Sequence, residues 1–163
     1  MIKIGISKDV HPLKEGKKFI LGGIEIPHSK GSVGYSDGDC LLHAIAESML
    51  GALALGDLGK FFPDDDPKYK DYDSSLILKE VFNYVSSKGY EVSNIDTMVS
   101  LEKPKIRPYI KDMRENIAKL LNCDIKLISI KATTFEGMGF VGREEGILCD
   151  AVVVLEKSDF LLD

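Results

Sequence analysis

The sequence predicts an α/β fold in two layers: a mixed sheet of about four main strands, helices packed on one face, and a small hairpin near the amino terminus. Three observations carry that prediction: strand-like and helix-like stretches alternate along the chain, no repeat or low-complexity tract interrupts them, and no long linker divides them. At 163 residues, 44% hydrophobic and 29% charged, the chain reads as one domain, residues 1–163, with length enough for a sizeable core.

Residues 2–8 alternate apolar and polar positions as a half-buried strand does, and Phe19 to Ile26 reads as two short strand pieces around Gly22-Gly23. Beyond Asp39, the residues Leu42, Ile45, Met49, Leu50 and Leu53 recur at helical spacing, and the pattern stops at Gly56. A second helix starts with Asp73 as its N-cap, presents Leu76, Ile77, Val81 and Val85 to the core, and ends at Lys88-Gly89. Tyr90 to Leu101 follows as a strand. Pro108 suits the first turn of a third helix carrying Ile110, Met113, Ile117, Leu120 and Leu121, which ends near Asn122. Two β-rich segments, Ile125 to Thr134 and Gly146 to Glu156, complete the pattern. The least regular internal stretch, Phe61 to Tyr72, is polar and proline-bounded, a composition suited to a lid beside the first helix.

Composition excludes several classes of function. A net charge of −5 argues against sequence-independent binding to a nucleic-acid backbone, so no nucleic-acid partner is expected. No apolar run is long enough to cross a bilayer, and Met1 to Ile6 enters a strand pattern with no room for a signal peptide. A cytoplasmic protein without a membrane partner is the expectation. Cys40, Cys123 and Cys149 are odd in number and widely separated, which suggests buried thiols and not a disulfide framework or a CxxC metal site.

Chemistry concentrates in two short stretches, Asp9-Val10-His11 and Ser36-Asp37-Gly38-Asp39-Cys40-Leu41-Leu42-His43. Asp9 and His11 are two apart at the end of the first strand, so their side chains leave on one face. His43 lies in the first turn of the first helix, near exposed amides that favour anions. One carboxylate and two imidazoles suit a zinc ion with a coordination position left free. Each residue also has an ordinary reading: Asp9 in a turn, His11 on the surface, His43 satisfied and partly buried. Spacing alone leaves both readings open. His28, in Pro27-His28-Ser29-Lys30, reads as a loop residue. The Ser36-Asp37-Gly38-Asp39 cluster is equally a good turn and helix cap. Lys131 to Glu136 runs a strand out into hydroxyls and a carboxylate, which suits phosphate oxygens and magnesium or a plain solvated strand end. Gly137 to Arg143 adds flexible backbone and a guanidinium, but matches no dinucleotide or P-loop spacing.

Taken in order, DVH, SDGDxxxH, GALALGDLGKFFPD, KPKIRP, KATTFE and the closing GFVGREEGI resemble the 2-C-methyl-D-erythritol 2,4-cyclodiphosphate synthase family over nearly the whole chain. The resemblance implies a homotrimer with active sites between subunits. It implies a cyclising phosphorus-oxygen lyase of non-mevalonate isoprenoid biosynthesis, acting on 4-diphosphocytidyl-2-C-methyl-D-erythritol 2-phosphate. The 2-phosphate attacks the β-phosphorus of the cytidine diphosphate arm, closes the cyclic diphosphate and expels CMP. By motif, Asp9, His11 and His43 bind zinc, and Glu136 holds magnesium or manganese. Tyr35 and Ser36 approach the phosphates, while Asp57, Leu58, Gly59, Phe62, Pro63, Asp64, Asp65 and Asp66 surround the methylerythritol portion. Leu101, Pro104, Lys105, Ile106, Arg107, Ala132, Thr133 and Thr134 form the cytidine pocket. Thr134 and Tyr35 are the catalytic contacts, and Phe135, Phe140 and Arg143 complete the substrate site.

The chain departs from the family pattern at Tyr35, where histidine is usual, at Pro12-Leu13, at Phe135 where a polar residue is common, and at Glu144 where glycine is common. A phenol donates one hydrogen bond but carries no positive charge near neutrality. Positioning and charge neutralisation are the main tasks in phosphoryl transfer, so two divalent ions can serve without any nucleophilic serine or cysteine, and an acidic chain poses no difficulty. Two rival functions use the same triad: a zinc-dependent phosphohydrolase that activates water, and a binding module with a structural zinc, which would need a fourth protein ligand.

Overall fold

The first strand, β1 (Ile2–Glu15), runs for 14 residues in a computed structural model that describes residues 1–158. A hairpin follows from β2 (Phe19–Leu21) and β3 (Ile24–Ile26), then an edge strand β4 (Lys30–Ser32). Helices α1 (Cys40–Ala52), α2 (Leu58–Phe61) and α3 (Ser74–Ser87) precede β5 (Tyr90–Ser100). Helix α4 (Ile110–Leu120), β6 (Ile128–Thr133), the short α5 (Gly139–Gly142) and β7 (Gly146–Lys157) complete the order. The main sheet runs β4-β1-β7-β5-β6; β5 and β6 are parallel and the other neighbours antiparallel, so the sheet is mixed.

Four strands match the four expected main strands, and β4 is a three-residue addition at the edge. It also explains why β1 runs past residue 8. After pairing with β7 from Ile2 to Pro12, β1 passes to β4 through Leu13, Lys14 and Glu15. Asp9 and His11 therefore stand in the body of a strand and not at its end, which stiffens both.

Helix α1 is buried on almost every side, from Cys40 and Leu41 through Ile45, Met49 and Leu50, because it lies between the sheet and α3. Gly5 makes that approach possible. A Cβ there would sit 1.8 Å from the Ser48 carbonyl oxygen. Asp39 caps the helix, its carboxylate accepting from Leu42 N at 3.0 Å.

Asp73 caps α3 as expected, but Leu76 is 46% exposed while Ile77, Leu78, Val81 and Val85 are buried. Leu76 lies five residues before Val81, off the buried stripe, and its place is taken by Leu78. Pro108 falls in a 3₁₀ turn, Arg107–Tyr109, that leads into α4, and Ile125–Leu127 is a similar turn before β6. The 61–72 stretch is more ordered than its composition suggests. Asp66 caps a 3₁₀ turn at Pro67–Tyr69, and the ring of Tyr69 packs edge-on against Phe62 and Tyr72 at 5.2 and 5.4 Å.

Cys40 and Cys149 are buried and Cys123 half-buried, all as free thiols. No helix among the described residues is long and apolar enough to cross a membrane. The sheet face opposite the helices is open and carries an apolar patch, with Ile2, Ile4 and Ile6 each at least 65% exposed and Val10 and Val152 on the same face, beside the Lys8–Asp150 ion pair.

Candidate metal centre and adjoining pockets

Alternation along β1 turns Asp9 and His11 toward the helices, where they meet His43 from the first turn of α1. Asp9 Oδ2 lies 3.0 Å from His11 Nδ1 and 3.4 Å from His43 Nδ1, and the two imidazole rings are 5.2 Å apart. All three ligand atoms lie within 4.8 Å of one another. Asp9 Oδ2 and His11 Nδ1 are buried without a hydrogen-bond partner, since they approach each other without the alignment a bond requires. Orphaned buried polar atoms are costly, and a cation among them removes the cost. One carboxylate and two imidazoles are a sound donor set for such an ion.

Charge points the same way. Burial opposes ionisation of Asp9, yet the two imidazoles beside it outweigh burial and hold its carboxyl at about 2. Burial likewise opposes a charged His11, but Asp9 overrides it and lifts the imidazole to about 9. His43 is raised by Asp9 against burial in the same manner. The carboxylate thus demands positive charge here, and a divalent ion supplies it more compactly than two protons.

The far side of His43 is equally organised. Its Nε2 lies 2.7 Å from Ser74 Oγ and 3.0 Å from Ser36 Oγ. Ser74 is bound by Asp37, through its backbone N–H to Oδ2 at 3.0 Å and through its hydroxyl to Oδ1. Asp39, fully buried, accepts from Gly22 N, Gly23 N and Leu42 N, and so ties the hairpin turn to the helix that carries His43. Burial pushes its carboxyl up to about 6, with these amides working the other way.

Two cavities accompany the triad. One of about 100 Å³ is lined by Tyr35, Ser36, His43, Leu58, Phe62, Asp64, Tyr69 and Ile77. It therefore gathers the expected phosphate and methylerythritol contacts beside a ligand. Tyr35 donates its hydroxyl to Asp66 O at 3.0 Å, joining the two sides. Asp57 caps α2, Leu58 N donates to Glu47 Oε1, and Gly59 follows in the helix. Pro63 is half-buried and Asp65 exposed along the same rim.

The second cavity, about 160 Å³, is lined by Leu101, Pro104, Lys105, Ile106, Arg107, Ala132, Thr133 and Thr134. These are the residues expected to form a cytidine pocket, brought together by the parallel pairing of β5 with β6. The triad does not include Glu136, which is exposed on the turn after β6 with its N–H on Thr134 Oγ1. Phe135 and Phe140 pack against each other at 6.3 Å, and Arg143 is paired with Glu145 at 2.7 Å. None of these four lines either cavity. Glu144 has φ 57°, the left-handed region in which glycine is at ease, so the departure from glycine there carries some backbone strain.

Asp37 and Ser74 are the organising residues that sequence reasoning missed, because Asp37 belongs to a cluster that reads as a turn and cap and Ser74 follows the Asp73 cap with no sign of its own. Their signal was a serine directly after an N-cap aspartate, uninformative until the fold sets it against His43.

Fold and site together define an α/β protein that gathers one carboxylate and two imidazoles into a group able to hold a metal ion. Residues 2–156 match the profile of the YgbB family, and the chain belongs to that family. It is 54% identical over 157 residues to the 2-C-methyl-D-erythritol 2,4-cyclodiphosphate synthase of Carboxydothermus hydrogenoformans, covering 96% of each chain. The synthase of Clostridioides difficile is 53% identical over 154 residues, 94% of this chain and 96% of that one. Among solved structures, the Plasmodium falciparum IspF in complex with CDP matches with TM-score 0.85 and 34% identity over 97% of both chains. The bifunctional IspDF of Campylobacter jejuni matches at TM-score 0.94 and 38% identity over 98% of this chain and 43% of its own.

Proposed function

We propose that this chain, residues 1–163 acting as one synthase domain, converts 4-diphosphocytidyl-2-C-methyl-D-erythritol 2-phosphate to 2-C-methyl-D-erythritol 2,4-cyclodiphosphate and CMP. The observation that carries the reading is the Asp9–His11–His43 triad, with its orphaned Asp9 and His11 atoms, whose third member His43 lines a cavity together with the hydroxyls of Tyr35, Ser36 and Tyr69 and the carboxylate of Asp64. The names of the full-length relatives support the same reaction.

Asp9, His11 and His43 hold zinc, and Glu136 holds magnesium or manganese. Bound there, such ions would draw charge from phosphate oxygens, so that an anionic nucleophile could approach an anionic phosphorus. Ser36 and Tyr35 donate hydroxyl protons to phosphate oxygens beside His43. Asp57, Leu58, Gly59 and the stretch from Phe62 to Asp66 enclose the methylerythritol portion and keep water from the phosphorus. The pocket from Leu101 to Thr134 binds cytidine, a use supported by the CDP in the Plasmodium falciparum structure. Thr134 contacts the transition state, and Phe135, Phe140 and Arg143 complete the phosphate end. Alignment supplies most of the rate, so no protein nucleophile is needed.

The working form is a homotrimer. The open apolar face of β1 and β7 supports that, as does the separation of Glu136 from the triad within one chain. The enzyme works in the cytoplasm. Purified protein given substrate and magnesium should release one CMP and one cyclic diphosphate for each substrate consumed, and no inorganic phosphate. CMP with a linear bisphosphate, or inorganic phosphate in proportion to substrate consumed, would instead identify a phosphohydrolase.

A further inference from the structure

His43 faces the metal centre with one nitrogen and the protein with the other. Its Nδ1 lies 3.4 Å from Asp9 Oδ2, while its Nε2 meets Ser74 Oγ at 2.7 Å and Ser36 Oγ at 3.0 Å. Only a ring nitrogen without a proton can hold a cation, so the position of the proton decides whether His43 is a ligand.

Asp37 determines that position. Its carboxylate faces three donors: Ser74 N–H at 3.0 Å on Oδ2, Asp39 N–H at 3.1 Å on Oδ1, and the Ser74 hydroxyl on Oδ1. A carboxylate can only accept, so the one hydroxyl proton of Ser74 is committed to Asp37. Ser74 Oγ then offers His43 nothing but lone pairs. The ring must place its proton on Nε2 and its free electron pair on Nδ1, toward Asp9 and His11. Ser36 imposes no such choice, because its hydroxyl can donate or accept. Ser74 is fully buried, which holds the geometry in place.

We infer that Asp37 and Ser74 are positioning residues for the metal centre, a relay that fixes His43 in the tautomer that binds the ion through Nδ1. The inference rests on the reading of the triad as a zinc site. Supporting carboxylates and hydroxyls behind a ligating histidine are worth about 10–100-fold in metal affinity.

The test uses metal-free protein and competition with a chromophoric chelator at one fixed pH, applied to the wild type, Ser74→Ala, Asp37→Ala and the double variant. Each single variant should bind zinc about 10–100-fold more weakly. The double variant should bind no more weakly than the weaker single one, because the two residues act through one proton. Losses that multiply would overturn the relay, as would wild-type affinity in a folded Ser74→Ala. Ser36→Ala should keep wild-type zinc affinity, and a loss equal to that of Ser74→Ala would overturn the assignment to Ser74. A reading independent of any variant comes from long-range proton–nitrogen NMR spectra of the metal-free wild type. The neutral His43 ring should carry its proton on Nε2, and a proton on Nδ1 would overturn the inference. A wild type that binds no zinc overturns the metal reading as well, whereas a wild type that binds zinc beside an equally tight Ser74→Ala overturns the relay alone.

Discussion

Replacing Gly34 by alanine presses on the metal centre from a position that is not itself a ligand. The new Cβ would lie 2.8 Å from His11 Nε2 and 2.9 Å from His11 Cδ2. Gly34 lies outside the left-handed region, so alanine enters without backbone strain and the conflict falls on the imidazole. Ordinary contact begins at 3.4 Å, so the ring must withdraw by about 0.6 Å. Retreat in the other direction is limited by Gly38, whose Cα would already be 3.3 Å from the methyl. Metal–ligand distances hold to within about 0.2 Å in a working site, so a displacement of that size removes much of His11's contribution. Overpacking should also cost the metal-free protein about 1–3 kcal/mol. The assay is zinc affinity by chelator competition, with thermal unfolding of the metal-free protein as the control for folding. Wild-type zinc affinity in Gly34→Ala would refute the placement of His11 as a ligand held against this turn.

Gly5→Ala brings a Cβ to 1.8 Å from Ser48 O and 2.7 Å from Ala52 N, both backbone atoms, so helix and strand must part and stability should fall by about 3 kcal/mol or more in urea unfolding. Asp39→Ala leaves Gly22 N, Gly23 N and Leu42 N without their acceptor and should cost about 3 kcal/mol. The same variant tests a pH effect. Because burial raises Asp39 from 3.8 to about 6, the folded state keeps a proton that the unfolded state has lost, so wild-type stability should fall relative to Asp39→Ala as pH rises from 3.8 to about 6. A flat difference across that window would contradict a buried carboxyl with a raised pKa. Converting Ile4 and Ile6 to Asp puts charge on the open sheet face and, if the wild type sediments as the proposed trimer, should shift it to monomer; a persistent trimer would mean that another face mediates assembly.

Element type was legible wherever local chemistry decided it. Asp39 and Asp73 marked their helix starts because a cap needs only its own backbone neighbours. The end of β1 was not legible, since what carries it past residue 8 is pairing with β7 and then with a three-residue strand at 30–32. Leu76 was misassigned to the core for a related reason. At the start of a helix the apolar stripe can be drawn through Leu76 or Leu78, and only the packing of α3 on α1 selects the second. The triad was visible as chemistry in Asp9, His11 and His43, whereas the Asp37–Ser74 support was not, because Asp37 and Ser74 lie 37 residues apart and meet only in the folded chain. The two cavities repeat that contrast. Residues 101–107 and 132–134 are joined by strand pairing that no local pattern announces, and motif order anticipated it.

Cyclisation and hydrolysis both release CMP, so the origin of the attacking oxygen separates them most directly. Turnover of the proposed substrate in ¹⁸O-labelled water, followed by mass spectrometry of the products, should give a cyclic diphosphate and CMP that both carry no label. A linear product with ¹⁸O on phosphorus would show that the triad activates water, and would contradict the claim that it holds a phosphate for attack by another phosphate.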